Sequence, residues 1–223
     1  MISKKLYILL FVFGFLCVGL FTYRYFVKSW APYYQKKLYK EPRPLLLKAL
    51  THFPANTSKN ALDLGAGAGN DTAFLLNNNW HVWATDAEKE AIAIIDTRKD
   101  IQLHRTNLVL LHNSFIDMPW NTLPSFDFVY ASYALPFAAP ADFVSIWNHL
   151  EQSLKKDGIF AGNFFGPEQG GFNWWQKRNM TLLTKEQVQA LFASFEIIVF
   201  EESHGKDDRG IFDHSFNVIA RKL

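Results

Sequence analysis

Cysteine is almost absent. Cys17 is the single one in 223 residues, which excludes an internal disulfide framework and any zinc site built on cysteine. An excess of one charge sign is missing as well: 23 Lys and Arg stand against 21 Asp and Glu, for a formal net charge of +2. No Lys/Arg cluster in the body has the footprint of a nucleic-acid face, so no nucleic-acid partner is expected. Internal repeats and low-complexity tracts are absent too. With 49% apolar and 20% charged residues, the body reads as one globular domain, and the length leaves room for an appendage.

What is present begins with a run foreign to the rest. Leu6 to Tyr23 holds eighteen residues without a charge, flanked by Lys4 and Lys5 before it and Arg24 and Lys28 after it. As a helix it would reach roughly 27 Å, close to the thickness of a bilayer's hydrocarbon layer. Tyr7, Tyr23, Tyr25 and Trp30 suit an interfacial belt. A cleaved signal peptide is the competing reading, but no small-x-small cleavage site follows. A buried soluble helix is poorly served by apolar surface on every side. Residues 1–28 are therefore expected to be a single-pass membrane anchor. Arg24, Lys28, Lys36, Lys37 and Lys40 on its C-terminal side outnumber Lys4, Lys5 and the terminal amine, which would put the body in the cytoplasm.

Residues 29–44, basic and aromatic with Pro32, Pro42 and Pro44, read as a linker or a cofactor-covering segment. From 45 to 223 apolar strands alternate with helical patterns. Strands are expected at Asn60–Leu64, Trp80–Thr85, Leu108–His112, Phe126–Ala131, Ile159–Phe164, Glu196–Glu201 and Ser215–Ala220. Helices are expected at Leu45–His52, Asn70–Asn78, Glu88–Arg98, Ala141–Leu154 and Thr184–Ala193. Gly158 is expected to stop the fourth of these, and Thr184 with Gln187 to cap the fifth. Such alternation is the signature of a parallel sheet covered on both faces. The ending differs, because the last two strands are joined by a polar loop, 202–213, with no helix. That favours an antiparallel hairpin.

In open α/β sheets the ligand lies beyond the carboxyl ends of the strands. Here the first strand ends in Gly65, Gly67 and Gly69, where absent side chains let a ligand meet bare backbone at a helix start. The second ends at Asp86, a carboxylate able to accept from both hydroxyls of a ribose. The third leads into Asn113-Ser114-Phe115-Ile116-Asp117-Met118-Pro119-Trp120, with polar edges and apolar walls for a purine. The fourth leads into Ser132-Tyr133-Ala134-Leu135-Pro136-Phe137. A nicotinamide-binding Rossmann pattern would need glycine where this chain has Asn70.

These motifs in order, ALDLGAGAGNDT, VWATDA, NSFIDMPW, FDFVYASYALPF and LKKDGIFAGNFFG, resemble the class I S-adenosylmethionine-dependent methyltransferases over about residues 42–222. The C-terminal stretch from LTKEQVQALFASFEIIVFEES to DHSFNVIARK extends the resemblance to small bacterial, tellurite-resistance-like members. It implies a seven-stranded, mostly parallel, Rossmann-like α/β sheet with helices on both faces and a C-terminal antiparallel strand. It also implies S-adenosyl-L-methionine as cofactor, with Gly65, Gly67 and Gly69 along its methionine part, Asp63 supporting that loop and Asp86 on the ribose. Ser114 and Phe115 would border the adenine, and Ala131 would touch the cofactor. Many relatives carry an acid in place of Ser114, a role open here to Asp117.

Methyl transfer is a direct displacement, so the protein mainly positions the reactants and, if needed, takes a proton. Tyr133 and His214 are the leading candidates for a base, with Tyr33, Tyr34 and His204 behind them. No metal is expected: His204, Asp207, Asp208, Asp213 and His214 read as a solvated loop. Trp147 reads as core. The aromatics Phe164, Phe165, Phe172, Trp174 and Trp175 invite a small or lipid-like acceptor. The alternative is a membrane-bound scaffold of methyltransferase fold without turnover.

Overall fold

The structure, a computed structural model, describes residues 30–54, 59–206 and 210–223. The expected membrane anchor, residues 1–28, lies outside the described residues. Among those described, no helix is long and apolar enough to cross a membrane. The chain divides into two compact units, Met1–Lys36 and Lys37–Leu223. Tyr33 and Tyr34 belong to the first, on helix α1 (Ala31–Lys37).

The second unit holds seven strands: β1 (Lys59–Leu64), β2 (Trp80–Asp86), β3 (Leu108–His112), β4 (Phe126–Ala131), β5 (Leu154–Phe165), β6 (Phe195–Lys206) and β7 (Phe212–Lys222). Their order across the sheet is β3-β2-β1-β4-β5-β7-β6. Strands β1 to β5 run parallel, and β7 runs antiparallel to both β5 and β6. This is the mostly parallel sheet with an antiparallel ending that the spacing implied. The strands are apolar on both sides because helices cover both faces.

One face packs Leu62, Leu64, Phe126, Phe160, Phe164 and Phe216 against α6 (Pro140–Ser153) and α8 (Lys185–Leu191). Trp147 lies in this core, edge-on to Phe160 and Phe192 at 5.1 and 5.0 Å. The other face packs Ala61, Val82, Ala84, Phe128 and Tyr130 against α2 (Pro44–Leu50), α3 (Asn70–Asn77) and α4 (Lys89–Thr97). Shorter helices α5 (Lys99–Gln102) and α7 (Trp174–Arg178) complete the unit.

Two expectations are corrected here. Helix α6 ends at Ser153, and Gly158 is not its stop. Instead 154–165 is one strand with Asp157 in the left-handed region, φ 62°. Gly158 is needed for close approach, since a Cβ there would meet the Lys155 carbonyl oxygen at 2.8 Å. The polar loop 202–213 is also mostly strand: β6 runs on to Lys206 and β7 begins at Phe212, with His204 directly opposite His214. Polar residues extend this hairpin because its outer strand faces water, where hydrophobicity no longer marks the strand. The capping box on α8 is as expected, Thr184 and Gln187 each accepting from the other's backbone N–H.

Candidate active site

The loop after β1 has Gly65, Gly67 and Gly69 at φ 72°, 57° and 74°, a conformation L side chains rarely adopt. The Gly65 and Ala66 N–H groups both donate to the Thr85 carbonyl at 2.9 Å, fastening the loop to the end of β2. A Cβ on Gly65 would lie 2.7 Å from Cβ of Ala134. The loop after β4 therefore rests directly on the glycine loop and brings Tyr133 to its rim.

Asp86, buried at the end of β2, accepts from the Gly67 N–H through Oδ2 and from the Glu88 N–H through Oδ1, both at 2.9 Å. It thus holds the loop and pins the turn leading into α4, whose N-cap residue is Glu88. A carboxylate oxygen can accept more than one hydrogen bond, so a residue of this type can serve a loop N–H and a ligand hydroxyl together.

Asp63 lies one strand position before the loop, on the face covered by α3. It is buried and accepts from the Thr72 hydroxyl at 2.5 Å. Burial first, and the neighbouring Asp71 second, push its pKa up to about 7, because a charged carboxylate is disfavoured by lost hydration and a like charge. Asp71 itself is buried and paired with Arg43, whose NH1 lies 2.5 Å from Oδ2 and whose backbone N–H donates to Oδ1 at 2.9 Å.

Residues 37–43 lie along the glycine loop. The Asn70 amide donates to the Lys37 carbonyl at 2.6 Å, and Arg43 stands 5.9 Å from the Tyr133 ring centre. Arg98, buried, donates to the Ala68 carbonyl and to Asn70 Oδ1, both at 2.7 Å, and its guanidinium lies 4.8 Å from the Tyr39 ring centre. Neither Arg43 nor Arg98 was singled out from the sequence. Each acts on residues 28 positions away, and no local pattern marks such a pairing.

In the segment after β3, the Ser114 hydroxyl donates to Asp117 Oδ2 at 2.5 Å. Asp117 is therefore the acceptor that Ser114 orients. Phe115 is half-buried against the core. Ala131 is fully buried, its side chain in the core at the end of β4.

Tyr133 has φ 53°, uncommon for a bulky residue and a kind of strain that concentrates at functional sites. Buried Asn163 on β5 holds it there, accepting from the Ser132 hydroxyl at 2.8 Å and the Tyr133 N–H at 3.1 Å. The Asn163 amide in turn donates to Asn217. Sequence reasoning missed Asn163, although an asparagine within an otherwise apolar buried strand is a readable signal. The Tyr133 ring lies 6.0 Å from Phe165, which with Phe137 and Phe172 forms an aromatic group at centroid distances of 5.9–6.2 Å.

His214, the other candidate base, is elsewhere. Strand β7 lies two positions from β4, about 10 Å at ordinary strand spacing. Its ring faces Glu168, Glu202 and His204. The structure thus brings together Asp63, the glycine loop, Asp86 and Tyr133, and places His204 with His214 in a second group.

A 3-2-1-4-5-7-6 sheet with a left-handed glycine loop at the end of β1 and an acid at the end of β2 defines the class I methyltransferase fold. Residues 62–160 match the family model described as a methyltransferase domain. An uncharacterized methyltransferase of Staphylococcus carnosus is 26% identical over 137 residues, covering 59% of this chain and 62% of that protein. This chain thus matches less than two thirds of that relative's length. Among solved structures, TehB from Haemophilus influenzae superposes with a TM-score of 0.66 at 16% identity, over 80% of this chain and 61% of that one. The Burkholderia thailandensis 1,6-didemethyltoxoflavin-N1-methyltransferase, with 1,6-didemethyltoxoflavin and S-adenosylhomocysteine bound, gives 0.63 at 18% identity, over 100% and 92%. At these identities the two structures establish the shared fold.

Proposed function

We propose that this chain is an S-adenosylmethionine-dependent methyltransferase acting on a small, flat or apolar acceptor. The observation that carries the reading is the glycine loop, left-handed at three positions and tied by Asp86 at the carboxyl end of the sheet. A Cβ at Gly65 would close this cradle against Ala134, so the residues present fit a cofactor lying along bare backbone.

When bound, S-adenosylmethionine supplies a methyl group made electrophilic by its sulfonium. Asp86 would hold the ribose hydroxyls, and Asp117, oriented by Ser114, would accept from the adenine amine. Asp63, held near neutrality by burial, would support the loop without placing a full charge under it. The Tyr133 loop, fixed by Asn163, would align the acceptor's nucleophilic atom with the methyl, where orientation supplies most of the rate. Tyr133, next to the Ala134 that packs on Gly65, would be better placed than His214 for receiving a proton. Phe137, Phe165 and Phe172 would stack on an aromatic or apolar acceptor.

We further propose that residues 1–28 anchor the enzyme in a membrane with the catalytic domain on the cytoplasmic side. The uncharged run and its flanking cations support this. Carbonate-resistant sedimentation of the full chain, lost on deletion of 1–28, tests it.

Calorimetry with S-adenosylhomocysteine tests the central reading: saturable binding, lost in Asp86→Ala, is expected. A folded protein that fails to bind at millimolar ligand overturns it. Binding without methylated product across an acceptor panel and membrane extracts would favour the scaffold alternative.

A further inference from the structure

A second constellation lies outside the proposed cofactor site. His204 on β6 and His214 on β7 are direct cross-strand partners, and their rings meet edge-to-face at 4.7 Å between centroids. Glu168, in the segment after β5, reaches the same face: its Oε2 is 3.3 Å from His204 Nε2, and its backbone N–H donates to His214 Nδ1 at 3.3 Å. One ligand atom each from Glu168, His204 and His214 lies within 4.8 Å of the others. Glu202, two residues before His204 and so on the same strand face, places Oε1 3.5 Å from His214 Nε2.

Several features show a built arrangement. The His214 ring is buried, and its Nε2 has no hydrogen-bond partner among the described residues. At 3.3 and 3.5 Å neither ring nitrogen is held by a strong bond. Gly166 makes room for the ring, since a Cβ there would fall 2.3 Å from Cγ of His214. The His214 backbone is fastened on both sides, its carbonyl accepting from the Gly166 N–H at 2.7 Å and its N–H donating to Gln169 at 2.9 Å. Lys185 draws on the other oxygen of Glu202 at 3.0 Å, leaving Oε1 turned to the histidine. Asp213, next to His214 on β7, falls on the opposite strand face and takes no part.

We propose that Glu168, His204 and His214 form a binding site for a divalent transition cation of the zinc class. Two imidazoles and one carboxylate are a recognised ligand set for such a metal, with one coordination position left open. Two ligands of a tetrahedral zinc stand about 3.4 Å apart, and the His204–Glu168 pair is already at that separation. Glu168 is exposed and closes the remaining gap by rotamer change. Glu202, whose Oε1 is 3.5 Å from His214 Nε2, adds a second carboxylate on the same face of the group. The expectation of a solvated loop at 202–213 missed the site because these histidines are on paired strands, and the third ligand comes from a different part of the chain. The cation would tie the segment after β5 to the β6–β7 hairpin, at the same end of the sheet as the glycine loop.

The test is binding of Zn²⁺ alone to untagged, chelator-treated full-length protein, followed by calorimetry and thermal unfolding, with Co²⁺ absorption as a report on geometry. One equivalent per chain, a rise in Tm and a tetrahedral Co²⁺ spectrum are expected. Glu168→Gln and His204→Ala, at exposed positions, are expected to weaken binding by roughly 100-fold while the metal-free Tm is retained. His214→Ala should abolish it, and Gly166→Ala should weaken it by displacing the ring. Less than one equivalent bound, or unchanged affinity in both Glu168→Gln and His204→Ala, overturns the proposal. Because the readout is metal binding, failure here leaves the cofactor reading untouched.

Discussion

The guanidinium of Arg98 and the side-chain oxygen of Asn70 meet at 2.7 Å, and the same nitrogen of Arg98 reaches the Ala68 carbonyl. Asn70 passes the connection on to the Lys37 carbonyl. One buried cation thus joins the glycine loop, the first helical residue after it and the chain segment alongside. Arg98→Ala should cost about 2–4 kcal/mol, because a buried carbonyl loses its charged donor. S-adenosylhomocysteine should also bind at least about tenfold more weakly. Urea unfolding and calorimetry on the same preparations measure both.

Asp86 serves the loop and the expected ribose at once. Asp86→Asn keeps one carbonyl oxygen for the Gly67 or Glu88 N–H, whereas Asp86→Ala keeps none. A charged hydrogen bond is worth about 1.5–3 kcal/mol, so cofactor affinity should fall roughly 10- to 150-fold in Asp86→Ala and less in Asp86→Asn. Equal loss in the two variants would show that the carboxylate acts only through the loop.

Asp63 should impose a pH dependence on stability. In the fold it keeps its proton up to about 7, whereas unfolded it ionises near 3.8. Its contribution is fully present below the lower value and is lost as pH rises through the upper one, since only the unfolded chain is free to ionise in between. Between about pH 5 and pH 8 this amounts to roughly 2–3 kcal/mol. Asp63→Asn should flatten that slope, gaining on the native protein as pH rises in denaturant titrations. A constant difference at all pH values would refute the assignment.

Asn163→Ala should loosen the loop that carries Tyr133. Removing the amide leaves the Ser132 hydroxyl, the Tyr133 N–H and the Asn217 side chain without the partners they have in the fold. A loss of about 2–4 kcal/mol is expected, together with faster amide exchange at Tyr133 and Ala134. An unchanged exchange rate at these two positions would mean that packing of Ala134 on Gly65 suffices to hold the loop.

Much of this was legible in the sequence, for identifiable reasons. Strands β1 and β4 announce themselves as short apolar runs ending in glycines or small polar residues, and all three loop glycines take the left-handed backbone that glycine adopts without strain. The hairpin was under-read because Glu202, His204 and Lys206 look like loop residues, although they alternate along a strand with a wet face. The bonds of Arg43 to Asp71 and of Arg98 to Ala68 and Asn70 were invisible because those partners are distant in the chain. Ser114 and Asp117 were read as alternatives for one role, whereas the structure pairs them through a hydrogen bond.

Strand β7 follows β6 in the chain yet inserts between β6 and β5. Until it arrives, β6 has no neighbour in the sheet and the edge of β5 is bare, a ready template for another chain. A ribosome making this protein therefore exposes a half-built sheet while β6 is threaded past, and the sheet is sealed only by a segment made after its outermost strand. Slow, non-local closure of this kind favours chaperone engagement during synthesis. Substitutions that weaken the β5–β7 pairing should reduce soluble yield more strongly than they lower the stability of the finished molecule.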